Sequence, residues 1–434
     1  MKTLHLTNSW HAASGGISTF YRAVLEEANR TGHEMSLVVP GDATSTEEVG
    51  AYGRIYYIEA PRAPFNPSYR VIYPQRYLLP GTAMQRILND ERPDLVEVSE
   101  KYTMPYFAGL LRTGRLPGVR FRPTVVGLSC ERMDENLAAY LTQSKRGREF
   151  CAWYMKWIYF PMFDHHVTVS PHVAGELVEA SKGHKVRRGI WTAPMGVDCE
   201  RFTPVLRSEA GREELRLKLG APAGATLLLY AGRLAREKNL QLLVETMAGL
   251  EGQSYWLVVA GEGQCRAQLQ EEFGERGISN VTFLGHVGDK SLLASYYANA
   301  DIFLHPNPRE PFGIAPLEAM ASGLALVAPN SGGVTEYANG QNAWLMPATG
   351  EAFAAAVQSI REQCADTRER RKQARLTAEK FRWAAAAARY LQLYREIHEI
   401  TTGRRSVENS TAIWSTAGNA FGRETKSNEI VVSL

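Results

Sequence analysis

Short apolar runs of strand length, separated by stretches with helical spacing, recur along this chain. Thr3–Leu6 is the first run, an amphipathic stretch from about Ile17 to Arg30 follows, and Met35–Val39 is apolar again. This is a βαβ opening with the glycine pair Gly15-Gly16 at its turn. Ile55–Ile58, Leu95–Val98, Thr124–Leu128 and Val167–Val169 continue the series. Glu59 to Pro80, with Pro61, Pro64, Pro67 and Pro74, reads as a long structured loop. The pattern breaks at Pro194-Met195-Gly196-Val197-Asp198. The charged, Gly/Pro-punctuated stretch Cys199–Gly224 then reads as a connection.

The alternation restarts with strand Thr226–Ala231, a helix from Asn239, strand Trp256–Ala260 and a helix over Gln264–Glu275. It continues through strand Val281–Leu284, helix Ser291–Asn299, strand Ile302–His305, a further helix and strand Leu324–Ala328. Strand–helix alternation of this kind predicts an α/β fold with a parallel sheet covered on both faces. Two series in tandem predict two Rossmann-like domains facing an interdomain cleft. The expected domains are 1–195 and 196–380, with an Ala-rich helix over 381–400 returning to the first and a disordered tail over 401–434.

At 434 residues the chain exceeds one ordinary core. Its net charge of +3 includes no dense Lys/Arg run, which argues against a nucleic-acid partner. Five cysteines (Cys130, Cys151, Cys199, Cys265, Cys364) are scattered, with no C-x-x-C pair, so neither a zinc site nor a disulfide framework is expected and a cytoplasmic location is. The N-terminus does not read as a signal peptide, and no apolar run is long enough to span a bilayer. Lys145–Phe163 interleaves Trp153, Tyr154, Trp157, Tyr159 and Phe160 with Lys145, Arg146, Arg148 and Lys156. It reads either as a core helix with snorkelling cations, the preferred reading, or as a peripheral contact at the inner membrane face.

The most informative segment is Arg309-Glu310-Pro311-Phe312-Gly313-Ile314-Ala315-Pro316-Leu317-Glu318, ending at Ser322-Gly323. Pro316 fits the first turn of a helix and Gly323 its left-handed end. The amides of Gly313, Ile314 and Ala315 then point out of a helix N-terminus, where a phosphate is favoured. Glu310 and Glu318 flank that anion site as acceptors for hydroxyl groups. A ligand carrying both phosphates and many hydroxyls is a nucleotide sugar.

The second half closely resembles the retaining GT-B glycosyltransferases of family 4 (glycosyl transferases group 1). The matching runs are Ala231-Gly232-Arg233-Leu234-Ala235-Arg236-Glu237-Lys238-Asn239-Leu240, Val259–Gly263, Phe283–Val287, the Glu310–Gly323 segment and Val327–Gly333. The first half matches through Gly15-Gly16, Val169-Ser170 and the Pro194–Asp198 run. The resemblance implies that Arg233 and Lys238 grip the donor diphosphate with the Gly313, Ile314 and Ala315 amides, and that Gly16 approaches it. It implies that Glu310 holds sugar hydroxyls, Glu318 the ribose hydroxyls, and Gly285–Val287 the base, that Gly15 and Phe312 also belong to the substrate-binding set, and that Glu310, Arg233 and Lys238 are the catalytic residues. No Asp-x-Asp occurs, so no metal and no cofactor are expected.

The implied activity moves a hexosyl group from GDP-mannose or a UDP-hexose to a glycan, lipid or small-molecule acceptor. Retention would follow a same-face displacement in which the leaving phosphate helps deprotonate the acceptor. Cys130 stands where relatives carry a histidine before Glu131-Arg132, a weaker hydrogen-bonding group, and Met195 replaces a customary asparagine. A sugar-nucleotide epimerase or phosphorylase, or a nucleotide-sugar binder without turnover, remain as alternatives. His165-His166 project to opposite strand faces and read as structural.

Overall fold

The computed structural model describes residues 1–10, 16–63, 66–140, 144–184, 189–250 and 254–405. Gly15, His11 and the tail beyond residue 405 lie outside them. The chain divides into two compact units. One holds Met1–Asp134, Ser144–Pro194 and the chain from Trp383; the other holds Met195–Arg382 together with Glu135–Gln143.

The first unit opens with β1 (Lys2–Leu6), α1 (Gly16–Thr31) and β2 (Glu34–Gly41), then the hairpin partners β3 (Ser45–Val49) and β4 (Gly53–Glu59). The stretch read as one long loop instead carries a small antiparallel pair, β5 (Arg62–Ala63) and β6 (Asn66–Arg70), and a short helix α2 (Gln75–Leu78). There follow α3 (Ala83–Glu91), β7 (Leu95–Val98), α4 (Pro105–Arg112), β8 (Thr124–Ser129), α5 (Met133–Tyr140, which groups with the second unit from Glu135 on), α6 (Lys145–Tyr154), β9 (His165–Thr168), α7 (Pro171–Ser181) and β10 (Ile190–Thr192). The sheet order is β10-β9-β8-β7-β1-β2-β4-β3, parallel throughout except at the edge strand β3. Every residue of β7, β8 and β9 is buried, as a sheet covered on both faces requires.

His165 and His166 belong to that buried layer. Trp191 Nε1 donates to His165 Nδ1 at 3.1 Å, and His166 Nε2 donates to the Phe160 carbonyl at 3.1 Å. They serve packing.

The second unit begins inside the stretch read as a connection, with α8 (Glu209–Leu219). Then come β11 (Thr226–Ala231), α9 (Gln241–Ala248), β12 (Tyr255–Ala260), α10 (Arg266–Glu275), β13 (Val281–Gly285), α11 (Lys290–Asn299), β14 (Ile302–Leu304), α12 (Ile314–Ala321), β15 (Ala325–Pro329) and β16 (Trp344–Met346). α9 starts two residues later than expected, because Asn239 adopts a left-handed φ of 52° after a 3₁₀ turn over Arg236–Lys238. The order β13-β12-β11-β14-β15-β16 is all-parallel and reads 3-2-1-4-5-6, the doubly wound order. Two helices not expected from the sequence, α13 (Gly350–Glu362) and α14 (Cys364–Lys380), cover it; α13 packs on α9 and α14 on α12.

The last helix, α15 (Trp383–Thr401), belongs to the first unit and packs on α1. A buried carboxylate fixes it there. Glu97, on β7, accepts hydrogen bonds from Tyr21 of α1 and from Tyr390 and Tyr394 of α15 (2.5 Å for Tyr394), and His5 Nδ1 lies 3.1 Å away. A buried charge without these donors would be strongly destabilising. Tyr394→Phe is therefore expected to cost about 1.5–3 kcal/mol, the worth of a hydrogen bond to a charged group. Urea unfolding measures it, and a loss below a few tenths of a kcal/mol would show that the phenol contributes little.

Candidate functional site

In the second unit the topological switch point lies between β11 and β14, whose following loops leave the carboxyl edge in opposite directions. Open α/β sheets bind ligands there. The loop after β11 carries Arg233 and Lys238; the loop after β14 carries Asn307 and Glu310. Asn239 Nδ2 ties the two loops together by donating to the Pro306 carbonyl at 3.0 Å.

Lys238 Nζ donates to both carboxylate oxygens of Glu310, at 3.0 and 2.8 Å, and Asn307 Nδ2 adds a third donor at 2.9 Å. Burial alone would raise the Glu310 carboxyl, but Lys238, His305 and Asn307 outweigh it and hold it down at about 2. His305 is buried, its imidazole is pushed down to about 4 by desolvation, and its Nε2 has no hydrogen-bond partner among the described residues. Arg233 is turned to a different partner: its Nη2 donates to Glu237 Oε1 at 2.9 Å, and its side chain is 55% exposed.

Glu310 leads directly into α12. Gly313 caps that helix in the left-handed region (φ 90°, ψ 76°), and an added Cβ would approach Tyr337 Oη to 2.8 Å. Tyr337 donates to the Gly313 carbonyl at 2.5 Å, which fixes the peptide's orientation. The amides of Gly313, Ile314 and Ala315 have no hydrogen-bond acceptor among the described residues, as expected for a helix N-terminus open to an anion. At the far end, Gly323 N donates to Met320 O and Leu324 N to Ala319 O, the paired bonds of a Schellman end at a left-handed Gly323. Gly333 permits the closest approach in the region: a Cβ there would fall 2.0 Å from the Pro311 carbonyl oxygen. The Ser331-Gly332-Gly333 run thus lets one backbone support another.

Glu318 sits one turn into α12, half-buried, and accepts from Tyr297 Oη at 3.1 Å. Burial pushes its carboxyl up to about 7. Val287 is half-buried just after β13. Phe312 differs from expectation: its ring is buried against Tyr337 and Phe381, at centroid distances of 5.3 and 6.2 Å, so its side chain supports the turn and is not available to a ligand. Asn307, Tyr297 and Tyr337 were not singled out in the sequence, where each reads as an ordinary loop or core residue.

In the first unit, Gly16 is the exposed first residue of α1. Cys130 follows β8; burial, with Glu97 and Glu131 nearby, raises its thiol far above the usual range. The beginning of α5 is organised by Glu176, which accepts from the Met133 and Asp134 amides at 2.8 and 3.0 Å and pairs with Lys101 at 2.6 Å. Arg132 is spanned by Asp134 and the His172 carbonyl.

The family profile described as Glycosyl transferases group 1 matches residues 211–380, and that described as Glycosyltransferase Family 4 matches residues 14–201. A GDP-mannose-dependent alpha-(1-6)-phosphatidylinositol dimannoside mannosyltransferase of Mycobacterium tuberculosis is 30% identical over 90% of this chain and 95% of its own length. The chain belongs to the group 1, family 4 glycosyltransferases. A GDP-mannose-dependent alpha-mannosyltransferase of Corynebacterium glutamicum is 29% identical over 78% of this chain and 75% of its own. Among solved structures, sucrose-phosphate synthase of Thermosynechococcus elongatus superposes with a TM-score of 0.72 at 22% identity, covering 92% of this chain and 99% of that one. The fold is accordingly GT-B, with two Rossmann-like domains.

The protein is a nucleotide-sugar glycosyltransferase, and membership of this family favours transfer over the epimerase, phosphorylase and binding-only alternatives. Among the described residues no three His, Cys, Asp or Glu side chains gather where they could share a metal ion, and no helix is long and apolar enough to cross a membrane.

The raised Glu318 carboxyl has a measurable consequence. A folded-state value near 7, above an unfolded value near 4.5, means that its contribution to stability is fully present below about pH 4.5 and is lost as pH rises through 7. Glu318→Gln in the ligand-free protein is expected to be near neutral at pH 4.5 and stabilising at pH 8, on the order of 2 kcal/mol after allowance for partial exposure. Urea unfolding at the two pH values tests this; an equal effect at both would contradict it.

Proposed function

We propose that this glycosyltransferase transfers mannose from GDP-mannose to a lipid-borne glycan acceptor, with retention of configuration and without a metal ion. The observation that carries the reading is the Lys238–Glu310 pair, held at the switch point directly before the open Gly313–Ala315 amides. The donor's diphosphate lands on those amides, and Lys238 and Arg233 neutralise it. Once Lys238 turns to the phosphate, Glu310 keeps Asn307 and gains free lone pairs for the sugar hydroxyls. Glu318 accepts from the ribose hydroxyls, and Val287 borders the base. GDP-mannose is supported by the M. tuberculosis and C. glutamicum relatives, both of them GDP-mannose-dependent mannosyltransferases.

The acceptor hydroxyl oxygen bonds to the anomeric carbon as the bond from that carbon to the phosphate oxygen breaks. The acceptor proton passes to the departing phosphate on the same face. The negative charge that develops on the leaving group is what the amides and cations stabilise, and one such donor is commonly worth 10²–10³ in rate, or about 3–4 kcal/mol.

A lipid-borne acceptor draws support from α6. Cys151 and Tyr154, with Met155 and Tyr159 in the π-helical turn that follows, are buried, so one face is core as preferred from the sequence. The other face is not. Phe150, Trp153 and Trp157 recur at i, i+3 and i+7 and are 52%, 51% and 54% exposed, with Lys145, Arg146 and Arg148 exposed beside them. Aromatic rings backed by cations suit an anionic bilayer interface.

Assays of GDP release from GDP-mannose, set against UDP-glucose, test the donor. GDP-mannose turnover is expected to survive EDTA and to fall at least about 10²-fold in Lys238→Ala and Glu310→Gln. Preference for UDP-glucose would overturn the donor, and loss of turnover with EDTA the metal-free mechanism. For the membrane face, co-sedimentation with phosphatidylglycerol vesicles is expected, weaker with phosphatidylcholine and lost in Trp153→Ala/Trp157→Ala. Equal binding by that variant would remove α6 from the contact.

A further inference from the structure

A cavity of about 440 Å³ opens at the amino-terminal edge of the second unit's sheet, where β11 and β14 begin. It lies at the opposite end of those strands from the Lys238–Glu310 pair, the six residues of β11 spanning roughly 20 Å. Its volume falls in the range of small-molecule sites. Five arginines line it, Arg212, Arg216, Arg361, Arg368 and Arg371, against one acidic lining residue, Asp301.

Some of this charge has a structural task. Asp301 Oδ1 accepts from Arg207 and Arg212 at 2.7 and 2.8 Å, and its Oδ2 accepts from the Leu227 amide at 3.0 Å. Arg216 is held by the Ala225 carbonyl and by Glu213, and Arg212 also reaches Glu209. The remaining arginines have fewer partners. Arg212, though paired through both terminal nitrogens, keeps a buried Nε with no partner among the described residues. Arg371 uses Nε on the Gly323 carbonyl, and no other hydrogen bond or ion pair of its guanidinium is present among the described residues. Arg368 has none there either, and Arg361 rests its guanidinium over the Tyr255 ring at 5.4 Å. Burial and the nearby Arg207 and Arg212 lower the Arg371 guanidinium to about 10, despite Asp301.

The first turn of α14 completes the lining through Cys364 and Thr367. Its N-cap, Gln363, makes no side-chain hydrogen bond to the helix, and its N-terminal turn, whose Asp366 is paired with Arg370, borders the cavity beside the last turn of α13. Guanidinium forks and helix amides match phosphate oxygens in geometry and charge.

We infer that this cavity is a second anion site, binding a small phosphate-bearing ligand independently of the donor. Isothermal titration of the full-length protein with inorganic pyrophosphate and phosphate, at constant ionic strength, tests it. Saturable pyrophosphate binding is expected, retained in Lys238→Ala and weakened at least tenfold in Arg361→Gln/Arg368→Gln. Both substituted arginines are exposed, so the fold is expected to survive, and an unchanged melting temperature would verify it. No binding by the intact protein, or full affinity in the double variant, would overturn the assignment. Binding lost in Lys238→Ala but kept in the double variant would assign the pyrophosphate to the donor site and overturn it equally.

Discussion

A lysine and a glutamate seventy-two positions apart hold the functional edge of the second unit together. Their contact joins the loop after β11 to the loop after β14, the two segments that part at the switch point. Two part-buried charges are costly to hold in place unless each meets the other and further hydrogen bonds complete the set. Asn307 adds such a donor to Glu310, while Asn239 ties the two loops together through Pro306. The pair also fixes where the chain enters α12, so the direction of the open amides follows from it. Ligand-free, the glutamate is fully ionised and its cation is committed to it, which stores the charges a phosphate and a sugar would share.

The sheets were legible because strands buried on both faces read as uninterrupted apolar runs. β7 and β11 fall where Leu95–Val98 and Thr226–Ala231 said they would. β3 escaped because Ser45–Glu48 is polar and exposed at an edge, and β10 and β16, at three residues each, are too short to stand out. α14 escaped for another reason: it buries little besides Thr367, Ala374 and Ala378, so no apolar stripe marks it.

The two ends of α12 were readable, the start from Gly313 and Pro316 and the finish from Gly323, because their backbone demands are local. Tyr297, Tyr337 and Asn307 were not, because their roles depend on distant segments meeting. The same gap explains Phe312. A phenylalanine in the turn before a helix N-terminus invites a ligand, but two aromatic neighbours from elsewhere in the chain claim it first. Arg233 belongs here too, since its nearest acid, four residues on, sets where its fork points.

The last helix among the described residues completes the unit that the first strand begins. Glu97 has Tyr21 and His5 beside it from the start but lacks two of its donors until Tyr390 and Tyr394 arrive, and those residues are synthesised after the whole of the second unit. On a translating ribosome the middle of the polypeptide can therefore reach its native state while the N-terminal half waits, its sheet built but one flank bare. Domains generally mature from the N-terminus onward during synthesis; here the first unit cannot be completed until a helix that follows the second unit along the chain has been made.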